Sequence, residues 1–347
     1  MTKIIRIGVD TSKSVFQLHG VDEAERPVLR RKTTRDQMIA FFKKLLPTLV
    51  GIEACGASHH WARLLRSFGH EVRLIPPQYV KPYVKRGKND AADAEAICEA
   101  MSRPTMRFVA VKTVESQADL MLQTARALLV KQQTQLVNAI RGHAAELGVI
   151  AAKGLGKIPS LLQRIAEDHT VPAPARAVFA LLAEQIDDLQ EKIEQIDARL
   201  KDWHRNNALS QRLATIPGVG EKIAALLAMK VSDPHLFRSG RHFASWLGLT
   251  PKDHSTAGKT RLGVITRAGD EQLRAMLVVG ATAVIRHARK RRGGHGEWLT
   301  RLLAHKPPKL AAVALANKMA RIAWKLMVSG ETYRANHRSR PPVAQAT

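Results

Sequence analysis

The chain has 347 residues, of which 45% are hydrophobic and 5% aromatic, so it can bury a sizeable core and its composition excludes a disordered protein. Lys and Arg outnumber Asp and Glu by 55 to 30, which gives a formal net charge of +25. This excess fits a polyanionic partner, with nucleic acid as the first candidate, better than a small-molecule substrate.

The two cysteines, Cys55 and Cys98, are too few for a disulfide framework or a four-ligand zinc site. We expect both to be buried structural thiols in a reducing compartment. The sequence begins without a signal-peptide apolar region, and no run reaches the roughly 18 apolar residues that span a bilayer. These features predict a cytoplasmic protein without a membrane partner.

The N-terminal residues alternate between strand and helix patterns. Residues 3–20 alternate apolar and polar on both sides of "DTSK", which predicts two short strands with Asp10 at the end of the first. The following patterns indicate a helix at 34–47, an apolar strand at 48–55 that contains Glu53, a helix near 58–68 and a strand at 71–76. Such alternation predicts an α/β domain with a mixed sheet.

Two aspartates in "KNDAADAEAI" (88–97) raise a question about metal binding. Asp90 and Asp93 lie three residues apart in a helical run, on one face and about 5–6 Å apart at Cβ. They form either a solvated first turn or half of a metal site. Asp10 and Glu53 end apolar strands, where a lone carboxylate loses hydration unless it is paired or metal-bound. Four converging acids would suit Mg²⁺ and phosphoryl transfer, and four surface acids are the alternative.

After residue 88 the patterns are almost entirely helical. Residues 114–147 carry Leu122, Leu129 and Leu136 at seven-residue spacing, which predicts one packed face on an otherwise polar and basic helix. Beyond Pro172 and Pro174, steps of 3 and 4 alternate through Phe179, Leu182, Ile186, Leu189, Ile193, Ile196, Leu200 and Trp203. This seam favours a coiled coil, within the chain or across a dimer, over an ordinary amphipathic helix.

Residues 206 to about 330 form a second helical unit. Its "IPGVGEK" segment has the form of a helix-hairpin-helix turn, in which Gly218 and Gly220 direct backbone N–H groups at a phosphate beside Lys222, and a turn without a ligand is the alternative. A basic run at 286–296 is either a solvated face or a phosphate contact. Its candidate ligands are Arg286, Arg289, Arg291 and Arg292.

Four histidines are weak candidates for metal ligands. His59, His60 and His295 lack metal-ligand spacing. His254, beside Ser255, is either a general base or a loop residue. We expect structural or loop roles for all four, and a disordered tail at 336–347.

The segments "IGVDTSK", "GIEACG" and "KNDAADAEAI" resemble those of the DEDD transposases of the insertion-sequence family numbered one hundred and ten, with its eleven-eleven subgroup. These are bridge-RNA-guided recombinases. The resemblance implies a ribonuclease-H-like domain, as in Holliday-junction resolvases, whose acids bind Mg²⁺. The matching positions are Asp10, Glu53, Asp90 and Asp93, so the resemblance favours the half-site over the solvated turn.

Residues 243–277 resemble the transposase domain of the same family, including the turn after "GLTP" that carries its catalytic serine. Ser255 is the best match. Thr256 is the neighbouring alternative, because Ala257 stands where members often have glycine. The resemblance implies a composite site of the serine and the four acids, completed between protomers of a dimer. We also include Lys259 and Arg261 of this turn among the residues expected to bind nucleic acid.

We therefore expect four segments: a ribonuclease-H-like DEDD domain (1–147), a helical linker and coiled coil (148–205), a mainly α transposase domain (206–335) and the tail. The expected function is an RNA-guided DNA transposase that cuts and exchanges double-stranded donor and target DNA with Mg²⁺, a bridge RNA and a homodimer or homotetramer. A nuclease that uses water, and a non-catalytic nucleic-acid scaffold, are the alternatives.

Overall fold

The computed structural model describes residues 3–85, 90–290 and 297–334, without the side chains of residues 289, 290 and 297. The predicted disordered tail lies outside the described residues. The chain forms two compact units, one up to Gln117 and one from Ala118 onward. Among the described residues, none of the helices has the length and apolar character that crossing a bilayer requires.

The first unit is a mixed sheet with helices on both faces. Its strand order is β3-β2-β1-β4-β5, in which β1, β2 and β3 are antiparallel and β1, β4 and β5 are parallel. This confirms the predicted mixed sheet and is consistent with a ribonuclease-H-like domain. The elements are β1 (Arg6–Thr11), β2 (Val15–Val21), β3 (Pro27–Thr34), α1 (Arg35–Lys44), β4 (Leu49–Glu53), α2 (Ser58–Ser67), β5 (Glu71–Ile75), α3 (Pro77–Val80) and α4 (Asp90–Ala100).

The strand β3 is absent from the sequence prediction. Its sequence, "PVLRRKTT", has three consecutive cations and little apolar alternation. It forms the edge of the sheet, where no strand of the described residues pairs with its outer side and most of its side chains are exposed. Charged edge strands are common because charge prevents pairing with other chains.

The two faces of the sheet carry different layers. One face packs on α1 and α2 through a core that includes Ile7, Val9 and Phe16, and the Phe16 ring meets Trp61 edge to face at 4.8 Å. The other face packs on α4, whose Ile97 and Cys98 are buried. The predicted acids belong to this second face.

The second unit is mostly helical, as expected. Its helices are α5 (Val114–Glu146, which begins in the first unit), α6 (Ile158–Glu167), α7 (Ala173–Arg205), α8 (Ala208–Ala214), α9 (Glu221–Lys230), α10 (Gly240–Trp246), α11 (Glu271–Lys290), α12 (Glu297–His305) and α13 (Pro308–Ser329). Between α10 and α11 lies a two-stranded sheet, β6 (Pro251–Asp253) and β7 (Leu262–Ile265), which the sequence analysis did not predict.

The helices α5 and α7 run antiparallel beside each other. Polar contacts mark the pairing: Trp203 Nε1 donates to Asp119 at 2.8 Å, Arg126 pairs with Asp197 at 2.5 Å, and the Gln133 amide donates to Gln190 at 2.8 Å. The positions on α5 fall as those on α7 rise. The two helices therefore form a hairpin within one chain.

The predicted seam of α7 is buried or half-buried within the chain. Its N-terminal part packs on α5 and α6, where Phe179 and Ile186 meet Ile140 and Leu161, and near its other end Leu200 meets α9. The buried face of α5 runs instead through Gln123, Gln133, Val137, Ile140 and Ala144, and the predicted ridge of leucines is only half-buried. A partner chain is therefore not needed to bury the seam, and a dimeric coiled coil stays a prediction.

Candidate functional site

The register of β1 and β4 places two of the predicted acids side by side. Val9 pairs with Ile52, so the next residues, Asp10 and Glu53, lie on neighbouring parallel strands and on the face that packs against α4. Both side chains are partly buried. The sheet thus brings together two carboxylates that are 43 residues apart in the sequence.

The first turn of α4 adds two more carboxylates. Carboxylate oxygens of Asp10, Asp90 and Asp93 all lie within 4.8 Å of one another. Glu53 lies outside this group but close enough for the charges of Asp10 and Asp93 to raise its pKa, after the larger effect of burial. The structure therefore joins three of the predicted acids directly and places the fourth beside them. We call these four residues the acid cluster.

The electrostatics of the acid cluster favour a cation. Burial raises the pKa of Asp10 most, and the like charges of Asp93 and Asp90 raise it further. Three close carboxylate oxygens are hard ligands of the kind that Mg²⁺ and Ca²⁺ prefer. A divalent ion would relieve both the repulsion and the loss of hydration.

Two glycines allow α4 to lie close to the sheet, and the sequence analysis missed both. A Cβ on Gly8 would lie 2.1 Å from the carbonyl oxygen of Ala94, and a Cβ on Gly51 would lie 2.9 Å from the sulfur of Met101. Real Cβ contacts are not that short, so a larger residue would force α4 away. Both glycines precede a predicted acid by two residues, in "GVD" and "GIE", which was the signal available in the sequence.

The two cysteines differ in their exposure to solvent, whereas the sequence predicted that both are buried. Cys98 is buried on α4 as expected, and burial raises the pKa of its thiol. Cys55 is exposed, so the prediction of a buried thiol was wrong there. The reason is that β4 ends at Glu53, which leaves Cys55 in the loop before α2.

His59 has a structural role beside this sheet. It is buried, and its Nδ1 accepts the backbone N–H of Lys112 at 3.2 Å. Burial, with Lys112 and Arg63 nearby, lowers its pKa to about 4. His59 is therefore neutral at pH 7 and already occupied as a hydrogen-bond acceptor.

The predicted serine lies on an exposed hairpin. Every residue from Pro251 to Val264 is exposed, and the strands β6 and β7 flank the turn. The hydroxyl of Ser255 accepts the backbone N–H of Arg261 at 3.0 Å, and the backbone N–H of Ser255 donates to Asp253 Oδ1 at 2.9 Å. Hydrogen bonds from the side chain and then the backbone of Ser255 hold the pKa of Asp253 below its usual range.

The departure from the family pattern at Ala257 has a conformational cost. Ala257 and Gly258 have φ values of +48° and +76°, and Thr256 pairs with Lys259 across them. Turns with positive φ at both central positions favour glycine, because a Cβ crowds the left-handed region. This explains why glycine suits position 257 and why alanine there is strained.

Two further glycines hold the base of the hairpin. A Cβ on Gly248 would lie 2.3 Å from the carbonyl oxygen of Ala268, and a Cβ on Gly269 would lie 1.8 Å from that of Trp246. The side chain of Arg274 donates to the carbonyl oxygens of Leu247 and Ala268. These residues, which the sequence analysis did not single out, position the hairpin on α10 and α11.

The helix-hairpin-helix turn between α8 and α9 is partly occupied by contacts within the chain. Gly218 has a φ of +86° and packs closely on α11. A Cβ on Gly280 of α11 would lie 2.1 Å from the carbonyl oxygen of Gly218. Gly220 is the N-cap residue of α9, and a Cβ there would meet open space. Lys222 pairs with Asp197 at 2.7 Å, so its charge already has a partner.

The remaining predicted cations fall into two groups. Lys259 and Arg261 are exposed on the serine hairpin, and Arg286 is exposed on α11. Arg289 lies in α11, but its side chain, like the residues Arg291, Arg292 and His295, lies outside the described residues.

Comparison with known proteins gives two family matches and several relatives. Residues 7–147 match the profile DEDD_Tnp_IS110, described as a transposase, and residues 210–295 match the profile described as "Transposase IS116/IS110/IS902 family". The chain is 62% identical to the putative transposase y4pF/y4sB of Sinorhizobium fredii, over 96% of this chain and 86% of that protein.

Two further relatives also match over most of their length. Identity is 45% to a probable family 20 transposase of Pseudomonas aeruginosa, over 95% of this chain and 98% of that protein. It is 39% to the transposase for insertion sequence element IS1111A of Coxiella burnetii, over 96% of this chain and 92% of that protein. The chain therefore belongs to the IS110/IS116/IS902 family of DEDD transposases, enzymes that act on DNA.

Proposed function

We propose that this transposase cuts and rejoins double-stranded DNA through Ser255, assisted by Mg²⁺ held at Asp10, Glu53, Asp90 and Asp93. The observation that carries the proposal is the convergence of Asp10, Asp90 and Asp93 within 4.8 Å in a family named for such carboxylates. A solvated first turn would need only Asp90 and Asp93. The added carboxylate of Asp10, partly buried and from a different element, favours a metal site.

The donor set suits Mg²⁺. In proteins this ion is bound through a few carboxylates together with waters and substrate phosphates, and the acid cluster supplies such carboxylates where the first turn of α4 meets the sheet. When bound, the ion would supply charge neutralisation for the phosphodiester and activation of the nucleophile. Asp10, Asp90 and Asp93 would be its ligands, with Glu53 beside them.

Ser255 is the proposed nucleophile. Its oxygen attacks the phosphorus, forming an Oγ–P bond, and the P–O bond to one ester oxygen breaks as that oxygen takes a proton from water. The hydroxyl proton of Ser255 passes to solvent on the exposed hairpin. Attack by the hydroxyl of a second DNA end then breaks the Oγ–P bond, joins the strands and restores the serine.

Asp253 is assigned to positioning and not to proton transfer. Its lowered pKa makes it a weak base at neutral pH, where general bases work best with a pKa near the operating pH. Its hydrogen bonds hold the serine in the turn, while the N–H of Arg261 fixes the hydroxyl oxygen. This support favours Ser255 over Thr256 as the nucleophile.

A covalent adduct tests the serine. Ser255→Ala is expected to bind DNA normally and to form neither adduct nor recombined product, whereas Thr256→Ala, the matched control, loses much less. The measurement is a denaturing gel of protein trapped on a nicked, labelled target, with mass spectrometry of the DNA-linked peptide. An adduct on Thr256 would move the nucleophile by one residue. Cleavage by Ser255→Ala without any adduct would favour the alternative nuclease, in which metal-bound water attacks.

The serine hairpin and α11 supply the proposed DNA contacts. A two-stranded ribbon fits the major groove of DNA. In this hairpin Lys252 of β6, and Lys259 and Arg261 of the turn between β6 and β7, are exposed cations around Ser255. Arg286, exposed on α11, extends the set. We leave Lys222 out because its charge is paired with Asp197.

A guide RNA and a homodimer or homotetramer complete the proposal. The net charge of +25 supports a second polyanion besides DNA, and sequencing of RNA that co-purifies with the protein tests it.

Val114, Met121 and Leu128 are exposed at seven-residue spacing along α5, a pattern typical of a helix that meets another helix. This stripe supports association of two copies, which light scattering measures.

A further inference from the structure

The register of the sheet extends the row of the acid cluster to the edge strand. Asp10 pairs with Gln17 of β2, and Gln17 pairs with Lys32 of β3. Paired residues point to the same face, so Lys32, Gln17 and Asp10 share the face that carries α4. Strands lie about 4.8 Å apart, which places Lys32 about 10 Å from Asp10 at Cα.

A second row adds another cation on the same face. Gly8 pairs with His19, and His19 pairs with Arg30. Burial lowers the pKa of His19 most, the negative charge of Glu95 opposes this effect, and the positive charge of Arg30 lowers the pKa further, which agrees with Arg30 on the His19 side of the sheet. Glu95 of α4 lies on this side too, but its short contact, at 2.5 Å, is with Lys85.

The two cations of these rows form no ion pair among the described residues, although the charge of Arg30 adds to the larger effect of Lys85 in lowering the pKa of Glu95. Arg30 and Lys32 are exposed, and among the described residues no acidic group lies within ion-pairing distance of either. Lys13, in the turn after Asp10, is exposed and in the same situation. The face thus has negative charge at the acid cluster and unpaired positive charge two strands away.

This separation of charge fits a nucleic-acid strand better than a small anion. A phosphodiester that lies at a metal-loaded acid cluster continues on either side as a chain of further phosphates. Phosphates along one strand rise about 3.4 Å per nucleotide, so about 10 Å corresponds to about three nucleotides. Because α4 packs on β1 and β2 and His19 is buried, a strand that leaves Asp10 would pass the first turn of α4 over the half-buried Gln17. Its later phosphates would then reach Lys32 and Arg30.

We propose that Arg30 and Lys32, on the α4 side of β3, bind the backbone of the DNA strand whose phosphodiester lies at the acid cluster. The proposal rests on the proposed function of that cluster and adds the direction in which the bound DNA strand runs from the cluster across the sheet. Backbone contacts of this kind fix position and orientation without reading sequence. They also account for two of the three consecutive cations of this edge strand, Arg30 and Lys32.

Arg31 provides a matched control within the same strand. It pairs with Leu18 and therefore points to the opposite face, where its guanidinium lies 5.9 Å from the centre of the Phe41 ring. Arg31 is exposed like its two neighbours. Removing its charge changes the net charge of β3 but leaves the α4 face intact.

The experiment uses the full chain and compares two proteins. One is the double variant that combines Arg30→Gln and Lys32→Gln, and the other is the control Arg31→Gln. The probe is a labelled DNA with a single-stranded overhang, and affinity is measured by fluorescence anisotropy in Ca²⁺, which carboxylates also bind, at several salt concentrations. We expect the double variant to bind roughly tenfold more weakly and to lose about two charges from the salt dependence, with little change for Arg31→Gln. An RNA of the same sequence serves as the second arm.

Three results would overturn the proposal: unchanged binding by the double variant, an equal loss in Arg31→Gln, or a loss confined to the RNA arm. Asp10→Asn separates this test from that of the acid cluster. We expect Asp10→Asn to keep the salt dependence of DNA binding, because Arg30 and Lys32 are intact, and to lose cleavage in Mg²⁺. If Asp10→Asn cleaves normally while the double variant loses binding, the backbone contact stands and the assignment of the metal ligands fails.

Discussion

Asp10 illustrates how one residue links the fold to the chemistry. It is partly buried, and its pKa is raised by burial first and then by Asp93 and Asp90. A carboxyl with a raised folded-state pKa stabilises the fold below its unfolded-state pKa, about 3.9, and this contribution is lost as pH rises through the folded-state value. Without metal, the protein therefore retains at neutral pH a charge that opposes folding.

Asp10→Asn should remove the negative charge that opposes folding, and it should also abolish most of the DNA cleavage. At pH 7 in chelator we expect the free energy of unfolding to rise by up to about 1 kcal/mol, and the gain to shrink toward pH 4. DNA cleavage should fall roughly a hundredfold or more, because a metal ligand is lost. Thermal unfolding between pH 4 and 7, with and without Mg²⁺, measures the first effect. Parallel pH curves for both proteins would contradict it.

The close contact between Gly8 and the backbone of α4 decides how near this helix lies to the sheet. Gly8→Ala places a Cβ against the backbone of α4, where no side chain can move aside, so we expect a loss of roughly 1–3 kcal/mol in the free energy of unfolding. The displaced helix should also carry Asp90 and Asp93 away from Asp10 and weaken stabilisation by Mg²⁺. Both are read from unfolding curves.

Gly56→Ala is the matched control for that change. A Cβ on Gly56 meets nothing within 4 Å, so stability and the response to Mg²⁺ should stay as in the parent protein. Equal effects of the two alanines would show that α4 does not depend on close approach at Gly8.

The hairpin of α5 and α7 makes a second prediction for an element. Ile186 is buried in the seam, whereas Leu181 of the same helix is 65% exposed. Ile186→Asp should cost roughly 3–5 kcal/mol, because it buries a charge without a partner, and Leu181→Asp should change little. Denaturant unfolding followed by circular dichroism checks both. Similar midpoints for the two variants would place the seam at a surface.

For the whole molecule, the division at Gln117 and Ala118 predicts an autonomous first unit. The acid cluster, the five-stranded sheet and α4 all lie before that division. A fragment of residues 1–117 should therefore fold cooperatively and be stabilised by Mg²⁺, whereas the same fragment with Asp10→Asn should fold without that response. Calorimetry with and without the ion measures both, and a fragment that fails to fold would show that the unit needs the rest of the chain.

The sequence was sufficient for features that depend on local pattern. Alternation identified β1, β2, β4 and β5, helical periodicity identified α1, α2 and the seam of α7, and composition indicated a polyanionic partner. The acids at 10, 53, 90 and 93 were singled out by their positions at strand ends and on one helical face, together with the family resemblance, and their role as metal ligands stays a prediction. The division of the chain near residue 147, expected from the sequence, stays a prediction beside the compact units found here.

Features that depend on contacts between distant segments needed the tertiary structure. Periodicity cannot reveal β3, because an exposed edge strand buries too little for its side chains to alternate. It cannot show that Gly8 faces the backbone of α4, that Cys55 falls in a loop, or that Gln133 lies on the buried face of α5. Arg30, Arg31 and Lys32 are equivalent in sequence, and only the pairing with β2 turns two of them toward the acid cluster and one away, because successive strand residues point to opposite faces.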